Sequence, residues 1–260
     1  MRLGVVLGGR SRAVEARSPV ADCADRQAPT PASIGAAYDA GVSRTTIPAL
    51  PLVEVRRQPG GEGADRLVLA TVQGDIPGRY HCVGGGVATR GVVWLPGTGE
   101  GLEGPARGLY AALARDLQAR AVESLRIDYR RVNRVEECVR DALVACRWLS
   151  EERGLEHLVL VGHGLGGVAA ILAAASAEEV RAVAALSPPA TAEEVAVTTK
   201  PLFLGHGGED VIAPAPGASR SESRSAAAVT RRIYPGAGND LDACREALAV
   251  DLLAWLDEQW

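Results

Sequence analysis

Residues 158–167 constrain the fold of this chain more than any other segment, because four glycines within six residues follow directly on an apolar run. An alanine-rich stretch, residues 168–179, comes next. The pattern predicts a buried β-strand that turns sharply into an α-helix, since glycine adopts backbone conformations that a Cβ disfavours. Such a turn lifts its central residue, here Gly164, above the end of a sheet.

From residue 91 onward, apolar runs of strand length alternate with segments of helical period. The predicted strands are 91–95, 124–129, 158–163, 180–187, 201–206 and 231–235, and the predicted helices are 105–120, 135–152, 168–179 and 241–259. This alternation predicts an α/β fold with a mostly parallel sheet covered by helices on both faces. Ahead of it, residues 45–57 are predicted as an edge strand, and 66–72 with 79–83 as a hairpin.

The length and composition predict one structural domain. The 260 residues, 47% of them hydrophobic, are enough for one large core, which we place at residues 46–260. Residues 1–45 are rich in Ala, Arg, Ser and Pro and show no period, so we expect a disordered or loosely attached extension. Only residues 187–201 separate two predicted strands, which leaves no room for a large lid.

The charge and the cysteine content limit which binding partners and which cellular compartment we expect. The net charge of −4 shows no basic footprint, so neither nucleic acid nor a membrane is expected as a partner. Five cysteines without a C-x-x-C pair indicate a reduced, cytoplasmic protein, with Cys138 and Cys146 in the core. No dinucleotide fingerprint or metal-ligand pattern is present, so we expect no cofactor and no metal.

The order of five motifs resembles the α/β-hydrolase superfamily, in particular small, lid-poor members similar to dienelactone hydrolases and esterases. The resemblance covers residues 65–260. The motifs are L-P-G-T-G at 95–99, R-I-D-Y-R at 126–130, G-H-G-L-G-G at 162–167, H-G-G-E-D-V-I-A-P at 206–214 and Y-P-G-A-G-N-D-L at 234–241. The resemblance implies an α/β-hydrolase fold whose third motif is the nucleophile elbow.

The same resemblance assigns roles to individual residues and shows two departures. Asp210 takes the position of the triad acid. Gly164 stands where the family has its nucleophilic serine, and Asn239 stands where it has its catalytic histidine. The residues implied for the oxyanion hole and pocket are Gly97, Thr98, His163 and Leu165.

The two departures remove groups that serine hydrolysis needs. Gly164 has no hydroxyl that could form an acyl-enzyme, and the Asn239 amide cannot accept a proton near neutral pH. His163, next to the elbow, is interpreted as a packing residue rather than a recruited base. Asp240 is interpreted as the cap of the last helix rather than as a second carboxylate beside Asp210.

Three functions remain open from the sequence. The first is a non-hydrolytic enzyme acting on a carbonyl compound or peptide, in which Asp210 removes an α-proton and the amides of Leu165 and Thr98 stabilise the enolate. An epimerase, isomerase or cyclase step of the kind used in natural-product tailoring fits that chemistry. The second is a catalytically silent protein that binds a small molecule, a peptide or a protein partner. The third is an esterase with an unrecognised nucleophile.

Overall fold

The computed structural model describes residues 47–61, 63–85, 88–132, 134–189, 199–214 and 228–260. The predicted extension, residues 1–45, lies outside the described residues. A sheet of nine strands organises the described part. The strands are β1 Leu52–Gln58, β2 Asp65–Thr71, β3 Gly74–His81, β4 Arg90–Leu95, β5 Glu123–Ile127, β6 His157–His163, β7 Val180–Leu186, β8 Leu202–Gly207 and β9 Val229–Tyr234.

The strand order is β1-β2-β3-β5-β4-β6-β7-β8-β9, and it divides the sheet into two parts. Strands β1, β2, β3 and β5 pair antiparallel, whereas β5, β4, β6, β7, β8 and β9 pair parallel. The mostly parallel α/β fold is therefore confirmed. Parallel strands place their carboxyl ends at one edge of the sheet, where ligands bind in folds of this class.

The hairpin between β2 and β3 turns earlier than the sequence predicts. Strand β3 begins at Gly74, not at residue 79. The Thr71 hydroxyl donates to the Gly74 carbonyl at 2.8 Å and accepts the Gln73 N–H at 3.1 Å. These two bonds close a short turn directly after β2, so residues 74–78 join the strand instead of forming a loop.

In the part of the chain that the structure describes, four helices cover the sheet: α1 Pro105–Ala119, α2 Val135–Arg147, α3 Leu165–Ala174 and α4 Arg245–Asp257. Helix α3 begins three residues before its predicted start, immediately after Gly164. Helix α2 continues as a π-helical turn, Trp148–Glu152, and a 3-10 turn, Asp242–Cys244, precedes α4. None of the helices in the described ranges is both long and apolar enough to cross a bilayer.

The core lies on both faces of the sheet because side chains alternate along each strand. On β4, Val93 and Leu95 pack with α2 and α3 on one face. Val92 and Trp94 pack with α1 and α4 on the other. Cys138 and Cys146 are buried in α2, as predicted, and burial raises the pKa of both thiols. Residues 187–201 connect β7 to β8 without a large insertion, and positions 190–198 of this connection lie outside the described residues.

Candidate functional site

The turn between β6 and α3 forms the centre of the candidate site. Gly164 has φ 50° and ψ −115°, a conformation that side chains rarely adopt, and α3 begins at the next residue. The Gly164 N–H donates to the Leu186 carbonyl at 2.8 Å, and its carbonyl accepts the Val168 N–H at 3.3 Å. The predicted strand-to-helix turn is present, with Gly164 at its tip.

The glycines on either side of Gly164 are required by close packing. A Cβ on Gly162 would lie 2.1 Å from the Gly166 carbonyl oxygen, and a Cβ on Gly166 would lie 2.2 Å from the Leu95 carbonyl oxygen. A Cβ on Gly164 would meet no heavy atom within 4 Å. Packing therefore dictates glycine at 162 and 166, whereas the space above Gly164 would accept a side chain.

Glu100, on the loop after β4, is a site residue that the sequence analysis did not identify. Its carboxylate accepts the Gly97 N–H at 2.7 Å and contacts Nδ1 of His163. Glu100 is the only acid in the glycine-rich loop 96–101, which was the available signal. Its histidine partner lies far away in the sequence, so the contact itself could not be inferred.

His163 is buried between two oxygen acceptors. Its Nε2 lies 2.8 Å from the Asn239 carbonyl oxygen, and its Nδ1 contacts the Glu100 carboxylate. Burial alone would lower the pKa of His163, but the hydrogen bond and charge of Glu100, with the Asn239 carbonyl and the charge of Asp210, outweigh burial and raise it. Both ring nitrogens of His163 therefore face oxygen atoms, Nε2 the Asn239 carbonyl and Nδ1 the Glu100 carboxylate.

Asp210 accepts three hydrogen bonds and is only 4% exposed. Its Oδ1 accepts the N–H groups of Ile212 at 2.9 Å and Ala213 at 2.8 Å. Its Oδ2 accepts Nδ2 of Asn239 at 2.9 Å. The structure thus places Asp210 and Asn239 in direct contact, with Asn239 donating to the carboxylate.

Asn239 joins both halves of the site, since its side chain reaches Asp210 while its carbonyl reaches His163. A continuous chain of contacts therefore runs from the Gly97 amide through Glu100, His163 and Asn239 to Asp210. It connects the loops that follow β4, β8 and β9 with the last residue of β6.

Three further residues of the sequence analysis lie around this chain. Leu165 is buried at the first position of α3, so its N–H belongs to the group that has no intrahelical acceptor. Thr98 is exposed on the loop after β4. Asp240 is exposed and accepts the Asp242 N–H at 3.1 Å. It does not cap the last helix as predicted, because that helix begins only at Arg245, with Cys244 at its N-cap.

Comparison with known proteins now identifies the family. The model of the dienelactone hydrolase family matches residues 106–240, just over half of the chain. The chain belongs to the dienelactone hydrolase family. The matched residues include β6, the elbow, Asp210 and Asn239. A search of curated protein sequences finds no match.

Solved structures agree on the fold. A dienelactone hydrolase from Anabaena variabilis is 18% identical with a TM-score of 0.62, covering 80% of this chain and 99% of its own. An esterase from Pyrococcus furiosus is 15% identical with a TM-score of 0.64, covering 83% and 98%. A lid-less α/β serine hydrolase from Xanthomonas campestris is 20% identical with a TM-score of 0.57, covering 79% and 97%. At these identities the likeness establishes the α/β-hydrolase fold of this family member.

Proposed function

We propose that this member of the dienelactone hydrolase family binds a ligand at the elbow and does not perform serine hydrolysis. The observation that carries the proposal is the hydrogen bond from Nδ2 of Asn239 to Oδ2 of Asp210. In a hydrolase of this fold, that donor is a histidine that also takes the proton of the nucleophile. Asn239 preserves the bond to the acid without supplying a base.

The elbow supports the same proposal. Gly164 provides no hydroxyl at the turn. His163 is poorly placed to replace the missing base, because both of its ring nitrogens already face oxygen atoms of Glu100 and Asn239. Nucleophile and base are both lacking at the positions where hydrolysis would need them.

The arrangement of Asp210 favours binding over the non-hydrolytic enzyme that the sequence also left open. A carboxylate that removes an α-proton must present a free oxygen to the ligand. Asp210 is buried, and each of its oxygens already accepts at least one hydrogen bond. Using it as a base would require the remaining lone pair of Oδ2 to reach the ligand past the Asn239 amide.

The expected ligand is a small compound or a peptide that carries a carbonyl or carboxylate oxygen. The N-terminus of α3, with the amide of Leu165, attracts such an oxygen through the helix dipole. A Cβ on Gly164 would have no heavy atom within 4 Å, so the ligand can occupy space that a serine side chain would otherwise fill.

The first experiment compares the natural protein with Gly164→Ser/Asn239→His in two assays, labelling by a fluorophosphonate probe and hydrolysis of p-nitrophenyl acetate. We expect neither labelling nor hydrolysis with the natural protein, and both with the double variant. Gly164→Ser alone is the matched control, since it adds the hydroxyl without a base. Labelling of the natural protein at any serine would overturn the proposal in favour of an esterase with another nucleophile.

A second experiment separates binding from non-hydrolytic chemistry. Incubating a methyl ketone with the natural protein in D₂O reports α-proton removal as deuterium uptake by NMR. We expect no uptake above buffer. Uptake that Asp210→Asn abolishes, with the fold intact by circular dichroism, would instead support the enzyme.

A further inference from the structure

Three arginines form a row across adjacent strands on the face of the sheet that α1 covers. Arg66 on β2 is opposite Arg79 on β3, and Arg79 is opposite Arg126 on β5. Opposed residues of antiparallel strands share a face, with Cβ atoms about 5 Å apart. We call Arg66, Arg79 and Arg126 the arginine row. Like charges in this position repel one another.

The row has few counter-charges. Arg126 donates to Glu103 Oε1 at 3.0 Å and to the Leu102 carbonyl at 2.9 Å. Within the described ranges, Arg66 and Arg79 make no ion pair and no hydrogen bond. Asp128, two positions beyond Arg126 on the chain, accepts the Tyr129 N–H at its Oδ1.

Helix α1 adds a fourth positive charge. Arg115 is close enough to Arg126 for the two charges to interact, and both also act on His81 in the same layer. Burial, with repulsion from Arg79 and Arg115, lowers the pKa of Arg126 although Glu103 opposes the shift. The charges of Arg66, Arg79, Arg115 and Arg126 are therefore concentrated at one place in a chain whose net charge is −4.

Unused hydrogen-bonding atoms lie at the inner end of the row. Arg126 is 3% exposed, and its Nε has no partner among the described residues. Ser124, two residues before it on β5, is 0% exposed, and its hydroxyl likewise has no partner in the described ranges. Buried polar groups in native proteins are almost always hydrogen-bonded, so the Nε of Arg126 indicates a missing acceptor. The Ser124 hydroxyl lies opposite His81, whose ring nitrogens also have no partner in the described ranges.

We propose that the arginine row binds a small ligand that carries a phosphate group. A dianionic tetrahedral group accepts hydrogen bonds from several guanidinium groups at once, whereas one carboxylate satisfies only one such fork. Arg79, half-buried at the middle of the row, contributes the central contact, and Arg66 supplies the exposed entrance. The inner end reaches the 3-10 turn Gly101–Glu103, which follows the loop of Glu100. This inference does not depend on the proposed function.

The test measures binding of inorganic phosphate to the full chain by calorimetry, with ionic strength held constant by sodium chloride. We expect saturable binding and a higher unfolding temperature in phosphate than in chloride. Arg79→Gln should weaken phosphate binding at least about tenfold, since a charge-assisted hydrogen bond is lost. The variant should remain folded in chloride, because it removes a repelling charge that has no ion-pair partner among the residues the structure describes.

Arg232→Gln is the matched control, since it removes one exposed arginine from β9 at the opposite edge of the sheet. Its phosphate binding should equal that of the natural protein. Equal weakening in both variants, or no saturable binding by the natural protein, would overturn the proposal. A parallel sedimentation assay with phosphatidylglycerol vesicles tests the other source of phosphate groups. Vesicle binding that needs Arg79, without binding of free phosphate, would overturn the small-ligand proposal in favour of a membrane surface.

Discussion

A matched pair of alanine substitutions at the elbow tests why glycine occupies each position. In Gly164→Ala the new Cβ has no heavy atom within 4 Å, so the change affects only the backbone at φ 50°. In Gly166→Ala the backbone is helical, but the Cβ would lie 2.2 Å from the Leu95 carbonyl oxygen and 2.6 Å from that of Pro96. Gly164→Ala therefore measures the cost of backbone strain, and Gly166→Ala measures the cost of steric overlap with the end of β4.

The magnitudes follow from these two causes. A non-glycine residue in a sparsely populated backbone region costs about 1–3 kcal/mol, and the loss of chain entropy in the unfolded state returns about 0.4–1 kcal/mol. We therefore expect Gly164→Ala to lower the free energy of unfolding by about 1–2 kcal/mol. Gly166→Ala must separate α3 from the end of β4 by more than about 1 Å, and overpacking against a backbone that cannot rotate away costs about 3 kcal/mol or more.

Urea unfolding followed by circular dichroism measures both losses. Equal losses, or a greater loss for Gly164→Ala, would refute the packing argument for the elbow. Gly164→Ser should behave like Gly164→Ala, because the hydroxyl also points into open space. That result would show that the elbow has room for a side chain at position 164.

Two buried histidines should give opposite dependences of stability on pH. The pKa of His163 is raised in the folded state, so its contribution to the free energy of unfolding is complete below the unfolded pKa of 6.5 and is lost as pH rises through the folded pKa. Urea unfolding between pH 6 and 9 should show this loss of stability. Glu100→Gln should abolish it. A Glu100→Gln variant with an unchanged slope would contradict the contact with Glu100. Burial, followed by the charges of Arg126 and Arg115, lowers the pKa of His81 to about 4. The contribution of His81 to the free energy of unfolding is therefore present above pH 6.5 and is lost as pH falls toward 4. His81→Gln should remove up to about 3 kcal/mol of that acid destabilisation relative to the natural protein, and identical acid titrations would contradict a neutral, buried imidazole.

The fold could be predicted because its determinants are local in the sequence. The glycines at 162 and 166 are required by contacts within the turn itself and with the end of β4. Their spacing in the sequence therefore predicts that turn. Strand and helix periods are likewise local, so the parallel part of the sheet followed from alternation. The predictions were wrong at the ends of elements. The start of β3 at Gly74 was missed because the Thr71 hydroxyl, which bonds to the Gly74 carbonyl, determines where the turn closes.

The contacts of the site depend on residues distant in sequence and were only partly predictable. Asp210 and Asn239 were paired through a family resemblance, and the structure places them 2.9 Å apart. The Asn239 contact to His163 uses a backbone carbonyl, which every residue has, so no side-chain pattern could indicate it. The arginine row could not be predicted from the sequence either, because only the strand register brings three arginines that are separated in sequence next to one another.

The contacts of Asp210 change the inference drawn from its presence. By itself, the retained H-G-x-x-D segment would favour an enzyme, since a protein without chemistry has little need of a triad acid. In the structure Asp210 holds the turn after β8 through the amides of Ile212 and Ala213, and it anchors Asn239. Replacing it would leave the buried Ala213 amide without an acceptor, at about 1–3 kcal/mol for an unsatisfied buried donor, and would also remove the acceptor of the more exposed Ile212 amide. Because stability alone accounts for the acid, its presence no longer favours catalysis, and a binding protein has the same physical reason to keep it.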